Sequence, residues 1–305
     1  MVDSAFIKEC AALNQAFLDK LETKEGQEEV REKSLLYIKQ ILREESFARK
    51  ILPPEQLTKY DVQRSVSTDT MQKIVDIEPN SRALVLNFRS EPTGTFVEGD
   101  RYAVDFFTIS SDLYEKTEAE LFAYDMPLIK IIEENSVKDI QEVEDERFLF
   151  FVDLAIAGTG KALDVGAVGR LDKEILTDAF KLIDADRLHT EVLLMSNTTF
   201  DDVLNFDLQI LGDSMASKVI VDGYTFEQLL GKRLIVTTKN NLVPFGVIYL
   251  FTDQKYMGNF FILNSTKFYI DKVADLIRWK TWEVIGVGIG NINSCARLRY
   301  GPAVP

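Results

Sequence analysis

The chain has 305 residues, of which 46% are hydrophobic and 28% charged, a composition typical of folded globular proteins and unlike that of disordered or fibrous chains. Its formal net charge is −14, so the chain as a whole repels nucleic acid and anionic membranes, which excludes an ordinary DNA-binding clamp. The two cysteines, Cys10 and Cys295, lie near opposite ends of the chain and supply neither a disulfide framework nor a zinc-binding spacing.

The sequence also lacks the features of an exported or membrane-spanning chain. The first ten residues carry neither a basic start nor a continuous apolar block, so we expect no signal peptide. The longest apolar run, residues 242–251, contains Pro244 and Gly246 and is too short to cross a bilayer. We therefore expect no membrane partner.

The first 50 residues predict two highly charged helices with a break near Gly26 and an end before Pro53. The first helix carries a thin apolar stripe at spacings of three and four, which includes Phe6, Leu13, Phe17 and Leu21. Two interpretations stay open. The helices form a hairpin docked on their own domain, or they form an arm that lies along a neighbouring subunit.

Residues 82–109 predict a β-hairpin. Residues 82–89 alternate strictly between apolar and polar side chains, residues 101–109 match them, and the turn-rich segment 90–100 lies between. Because an isolated hairpin is only marginally stable in water, it needs a surface to lie on. It is either an edge of a larger sheet or a protruding loop held against the next subunit. In the second case its charged residues are available for intersubunit ion pairs: Arg89, Glu91, Glu98, Asp100 and Arg101.

Residues 136–157 predict a long helix. Ser136 and Asp139 have the spacing of a capping box, and Gly158 supplies the stop. Apolar residues recur on one face, including Ile140, Val143, Phe148, Phe151, Val152 and Ala155. The acidic residues at 142–146 point in several directions, and we interpret them as a solvated face. The helix is therefore expected to lie across a sheet.

The rest of the chain predicts mostly β structure around a few helices. The expected helices are residues 171–183, 199–206 and 226–230. The expected strands are residues 191–195, 218–221, 233–237, 242–251, 259–263, 282–288 and 295–300.

The sequence contains only weak candidates for a catalytic, cofactor-binding or metal-binding site. His189 is the only histidine, and it could hold a metal with Asp184 and Asp186, but a polar connection between a helix and a strand explains the same residues. Gly286, Gly288 and Gly290 only partly match a dinucleotide-binding fingerprint, because residue 291 is asparagine, and we interpret them as close-packing positions or bends. We therefore predict no enzyme, no cofactor and no metal, and a protein that works through its interfaces.

Three stretches and the order of the parts carry a resemblance to a known family. The stretches are FARKILPPEQL before the hairpin, TEVLLMSNTTFDDVLNF after the second long helix, and WEVIGVGIGNINSCARLRY near the end. In these, and in its order of arm, loop, long helix and mixed strands, the chain resembles the major capsid proteins of tailed bacteriophages, whose fold is shared with encapsulins.

The resemblance implies an α+β fold divided into five parts. These are a helical N-terminal arm (1–60), an extended loop (61–110, with the hairpin at 82–109), a peripheral domain (111–195) containing a spine helix (136–157), an axial domain (196–280), and a return to the peripheral domain (281–305). Ser136, Asp139, Phe148 and Phe151 would belong to the spine helix.

The implied function is a structural protein of the virion. It would assemble in the host cytoplasm with other copies of itself, as hexamers and pentamers, into an icosahedral head that encloses double-stranded DNA without sequence-specific binding. Portal, scaffold and cement proteins are the further partners that the resemblance allows.

Residues 82–109 contain no lysine, so the lysine crosslinking of some family members is not expected and the shell would be non-covalent. Some family members carry an additional N-terminal scaffolding segment that is later removed. The arm that begins here at Met1 is short by comparison, so the resemblance implies a separate scaffold protein or none. The alternatives are an encapsulin-like compartment, another virion protein and, least favoured, a small metal-dependent enzyme.

Overall fold

A computed structural model describes residues 4–66, 69–77, 85–86, 91, 94, 99–121, 128–166, 171–204 and 228–300. Within these ranges it describes only the backbone of residues 4–11, 39–45, 121, 128–131 and 204. The predicted strand 218–221 and most of the predicted strand 82–89 lie outside the described residues.

Helices form the arm, the long spine and the cover of one sheet. They are α1 (Ser4–Leu21), α2 (Lys24–Glu45), α3 (Phe47–Ile51), α4 (Glu118–Leu121), α5 (Leu128–Thr159), α6 (Lys173–Asp184), α7 (Asn197–Leu204) and α8 (Gln254–Met257), with a 3-10 turn at Ile292–Ser294. Among the described residues, every helix is either too short or too polar to span a lipid bilayer.

The described strands are short except for two near the C-terminus. They are β1 (Glu55–Gln56), β2 (Gln63–Arg64), β3 (Met71–Asp76), β4 (Arg101–Asp105), β5 (Phe107–Ser110), β6 (Tyr114–Thr117), β7 (Ala162–Asp164), β8 (Val192–Ser196), β9 (Gln228–Leu229), β10 (Lys232–Thr237), β11 (Val247–Phe251), β12 (Gly258–Val273), β13 (Leu276–Ile289) and β14 (Cys295–Arg299).

These strands form three sheets. The first is built on the long antiparallel hairpin of β12 and β13, with β1 beside β12 and both β5 and β6 pairing with β13. The second has six strands in the order β7-β14-β11-β8-β10-β9. The third is the small antiparallel sheet β2-β3-β4. The chain is thus α+β, with mostly antiparallel pairing.

The spine helix α5 lies between the first two sheets. Its buried residues Ile140, Phe148 and Val152 share one core with Ile285 of β13 and with Phe251 of β11. Phe148 is fully buried, and its ring centroid lies 5.9 Å from that of Phe251. The prediction that this helix lies across a sheet is therefore confirmed.

The six-stranded sheet is covered on both faces. All five residues of β8 are buried, with Val192 and Leu194 in the core shared with α5, and Leu193 and Met195 in a second core that includes α6. A strand covered on both faces carries a continuous apolar run, which is why the sequence identified β8 readily.

The predicted ends of the spine helix were wrong. Helix α5 begins at Leu128, so Ser136 is an interior residue, fully buried, and its hydroxyl has no hydrogen-bond partner among the described residues. The helix ends at Thr159, and Gly160, with φ +69°, donates its amide to the carbonyl of Ile156 over 2.8 Å. The left-handed residue that caps the helix is Gly160, not Gly158.

Several predicted strands also need correction. The segments 259–263 and 282–288 are parts of the much longer β12 and β13, and the strand expected at 242–251 begins only at Val247. The buried positions of β13 include the polar residues Thr281 and Glu283. These residues interrupt the alternation of apolar and polar side chains by which a strand is recognised in the sequence, so the predicted strand was too short. The helix expected at 226–230 is replaced, in its described residues, by strand β9 and a turn in which Leu230 has φ +51°.

Candidate functional site: the spine helix and what it holds

The acidic segment of the spine helix is not a solvated face. Glu144 and Asp145 are both fully buried, whereas Val143, predicted to face inward, is 36% exposed. The prediction of a solvated acidic face was wrong for these two carboxylates because their partners are far away in the chain, 95 positions in the case of Arg49 and Glu144.

One half of this cluster centres on Arg49 of α3. Its Nε lies 2.7 Å from Oε1 of Glu144, and its Nη2 lies 3.0 Å from Oε2 of Glu283 on β13. The hydroxyl of Thr266 donates to the same Glu283 oxygen over 3.0 Å. The guanidinium, with 7% of its side chain exposed, therefore bridges two buried carboxylates from different elements.

The other half centres on Asp145. Its Oδ1 accepts hydrogen bonds from the hydroxyl of Ser46 (2.9 Å) and the amide of Ala48 (3.0 Å), which lie at the N-terminus of α3. Its Oδ2 accepts from the ammonium of Lys239 over 2.6 Å. Two adjacent residues of the spine helix thus hold α3: Asp145 binds its N-terminus, and Glu144 binds the side chain of Arg49.

Burial controls the protonation of both spine carboxylates. Desolvation raises the pKa of Glu144 to about 8, against the opposing charge of Arg49. Desolvation also raises the pKa of Asp145, while Lys239 opposes that rise. The second oxygen of Glu144, Oε2, is buried without a hydrogen-bond partner among the described residues.

The spine residue Asp139 also has an unexpected partner. Its Oδ2 accepts a hydrogen bond from the hydroxyl of Tyr114 on β6 over 2.6 Å, and this bond is the largest cause of a rise in the pKa of Tyr114 to about 12. The ring of Tyr114 stacks on Trp279 with 5.6 Å between centroids. Asp139 therefore joins the helix to the β13 sheet and does not cap the helix start.

The outer side of the spine helix carries an exposed apolar stripe, which consists of Val143 (36% exposed), Phe150 (55%) and Leu154 (62%). The residues are separated by seven and four positions, which places them on one face of the helix. Phe151, predicted to face inward, is half-buried and packs between Phe150 and Phe107 of β5. An exposed stripe of this kind in a folded protein marks a candidate interface.

The described base of the extended loop pairs with two sheets. Strand β4 pairs with β3, from Gln72 opposite Asp105 to Asp76 opposite Arg101, and β5 leaves the loop to join β13. Most of residues 82–89 lie outside the described residues, so the predicted pairing of 101–109 with 82–89 stays a prediction.

The charged residues predicted on the loop can be placed only in part. Arg101 forms an ion pair with Asp76 of its own chain, with 2.7 Å between Nε and Oδ1, and both side chains are largely exposed. Glu91 and Asp100 are exposed, while Arg89 and Glu98 lie outside the described residues. The predicted intersubunit role of these five residues stays a prediction.

The base of the extended loop, residues 102–106, packs closely against three glycines near the C-terminus. A Cβ atom on Gly286, Gly288 or Gly290 would press against side chains of the segment 102–106, which includes Tyr102 and Val104. Tyr102 also donates its hydroxyl to Oδ1 of Asn259 on β12 over 2.7 Å. The interpretation of these glycines as close-packing positions agrees with this arrangement.

The arm packs on its own domain. Phe17 and Leu21 are 7% and 0% exposed and belong to the main core, which corrects their interpretation as residues on an intersubunit face. Leu13 is 53% exposed and stays a predicted interface residue, and the side chain of Phe6 lies outside the described residues. The sequence left open whether the arm docks on its own domain or lies along a neighbouring subunit. In the structure it is a helical hairpin docked on its own domain.

The alternative metal site is not assembled. Nδ1 of His189 lies 3.4 Å from Asp184, and the His189 side chain is 73% exposed, whereas Asp186 pairs with Lys161. Among the described residues no group of three or more histidine, cysteine, aspartate or glutamate residues has the geometry to hold a metal ion.

Comparison with known proteins shows the fold. A chain from Mycobacterium phage Cain is 13% identical, with a TM-score of 0.57 over 86% of this chain and 91% of that one. A chain from the capsid structure of Cyanophage P-SCSP1u is 10% identical, with a TM-score of 0.55 over 79% and 86%. A chain from the capsid of a native GTA particle is 12% identical, with a TM-score of 0.52 over 85% and 90%. No protein-family model and no curated protein sequence matches the chain. The expected α+β fold of phage capsid proteins is confirmed.

Proposed function

We propose that the chain is the major capsid protein of a tailed phage, which assembles through hexamers and pentamers into an icosahedral head. The observation that carries the proposal is the extent of the likeness, because the match to the phage and GTA capsid chains spans most of both partners. A fold alone does not define a function, but a match over most of both chains concerns the fold as a whole and not a single element.

Self-association would use the surfaces left exposed by the fold. The extended loop of one subunit would lie over the spine helix of its neighbour, in contact with the apolar stripe of Val143, Phe150 and Leu154. Each such contact is modest, but a subunit surrounded by several neighbours has many of them at once, so weak patches give a stable shell by multivalency. The absence of lysine from residues 82–109 favours a non-covalent shell.

The head would enclose double-stranded DNA without binding its sequence. The formal net charge of −14 fits a wall that does not hold the packaged genome tightly. Portal, scaffold and cement proteins and assembly in the host cytoplasm belong to the same proposal. The similar structures come from phages and a GTA particle, which favours a head protein over an encapsulin-like compartment.

Electron microscopy of the purified full-length chain tests this proposal. We expect rings of five or six subunits, or closed shells built from them. A chain that stays monomeric at every concentration and salt condition would contradict it, and shells filled with a cargo enzyme would favour the compartment.

A further inference from the structure

The buried ion cluster fastens α3 to the body of the protein. It joins Arg49 of α3 to Glu144 of α5 and to Glu283 of β13, and the last pair is 234 positions apart in the chain. Helix α3 follows directly on α2, with Ser46 between them, so the attachment of α3 fixes the C-terminal end of the arm, whose other contacts are its own core residues such as Leu21 and Ile38.

The cluster has an excess of acidic groups. Around Glu144 the charged groups among the described side chains are Arg49 from α3, Glu283 from β13, and Asp145 on α5 with its partner Lys239 from the segment before β11. With every group ionised, three carboxylates face two cations. A net buried charge is strongly unfavourable unless it is neutralised, so one carboxylate is expected to retain a proton.

The geometry identifies the carboxylate that holds this proton. Both oxygens of Asp145 accept hydrogen bonds, and both oxygens of Glu283 accept from Arg49. Glu144 uses only Oε1, while its Oε2 is buried and unpaired among the described residues. A proton on Oε2 removes the excess charge without breaking any of the contacts to Arg49.

We propose that Glu144 is a proton-dependent latch: it is protonated while α3 is docked, and loss of that proton weakens the hold on α3 and on the arm. The latch is a property of the single chain, so it does not depend on the proposed assembly into a head.

The direction of the pH dependence follows from linkage. Release of α3 removes Arg49, whose charge lowers the pKa of Glu144, but it also lets water reach the carboxyl group. Because desolvation is the largest cause of the rise in this pKa from 4.5 to about 8, we expect the docked form to bind the proton more tightly than the released form. The contribution of Glu144 to docking is therefore fully present below the ordinary pKa and is lost as the pH rises through the window up to about 8. Asp145, whose pKa burial also raises, acts in the same direction.

Amide hydrogen exchange of residues 46–52 in the full-length chain tests the latch. After correction for intrinsic exchange, we expect opening of this segment to increase by about tenfold or more between roughly pH 6.5 and pH 9. Glu144→Gln, which resembles the protonated acid in size and charge, should largely abolish that increase. The matched control is Glu146→Gln, which neutralises an exposed carboxylate on the same helix and should leave the increase unchanged.

Infrared spectroscopy of the wild-type chain gives a second, independent measurement. We expect a protonated carboxyl band that is present near pH 6.5 and disappears on titration to about pH 9. The proposal is overturned if this band is absent, or if Glu144→Gln and the wild-type chain open alike with pH. If the variant does not fold, the two measurements are compared in the wild-type chain: opening of residues 46–52 should rise over the same pH range in which the band disappears, and opening that does not follow the band overturns the proposal.

Discussion

Arg49 donates a hydrogen bond from its Nε to Oε1 of Glu144 over 2.7 Å, and both side chains are almost completely withdrawn from solvent. This contact joins the short helix after the arm to the middle of the spine helix, and Nη2 of the same guanidinium pairs with Glu283. Arg49 is the critical member of this group, because its removal leaves the carboxylate of Glu283 buried without its cation.

Replacement of Arg49 is expected to be strongly destabilising. In Arg49→Met the carboxylate of Glu283 stays buried but loses its cation, and Glu144 loses its hydrogen-bond donor, so the free energy of unfolding should fall by about 3–5 kcal/mol. Urea unfolding of the full-length chain measures the change. The control is Arg147→Met, at an exposed position of the spine helix α5, which should alter stability by no more than about 0.5 kcal/mol. Equal effects of the two substitutions would show that the buried bridge has no special importance.

The glycine row under the extended loop gives a prediction with a matched pair of substitutions. Gly288→Ala places a methyl group against Val104 and Tyr102, so we expect a loss of about 1–3 kcal/mol and displacement of the loop base. Gly158→Ala meets no atom within 4 Å and lies in helix α5, so it should stabilise the chain by up to about 1 kcal/mol. Thermal unfolding of both variants measures the contrast. A neutral Gly288→Ala would mean that the loop base is not closely packed there.

The apolar stripe on the spine helix is expected to act between subunits. Leu154→Glu puts a charge on a side chain that is 62% exposed, so the stability of the isolated fold should change by less than about 0.5 kcal/mol. Assembly, measured by sedimentation, should be greatly reduced because the charge would be buried in the contact. Lys138→Glu, an exposed charge reversal on a different side of the same helix, is the control and should assemble normally. If Leu154→Glu forms normal shells, the apolar stripe is not part of the interface between subunits.

The extended loop is predicted to be needed for assembly and not for folding. Deletion of residues 90–98 spares the described pairing of β3 with β4 and the hydrogen bond from the amide of Ile77 to the carbonyl of Asp100. The melting temperature should therefore change little, while shells or rings should disappear from electron micrographs. If particles form as they do with the full-length chain, the loop is not an intersubunit strap.

Elements with a regular local pattern could be predicted from the sequence. The predictions of α6, β8, β10 and β14 were confirmed. Each of these elements could be recognised because its pattern of apolar residues is complete within its own few residues. The spine helix was also identified, but its start was placed at Ser136 because Ser136 and Asp139 have the spacing of a helix cap. Nothing in that spacing reveals that the helix has already begun at Leu128.

The sequence by itself determined the order of the parts, the presence of a long central helix and the close-packing role of the late glycines, since these depend on local composition and spacing. Only the tertiary structure decided that Glu144 and Asp145 are buried, that the arm packs on its own core, and that β4 pairs with β3. The physical reason is that the charge of a carboxylate is visible in the sequence, whereas its solvation depends on partners such as Arg49 and Lys239, which folding alone brings within hydrogen-bonding distance.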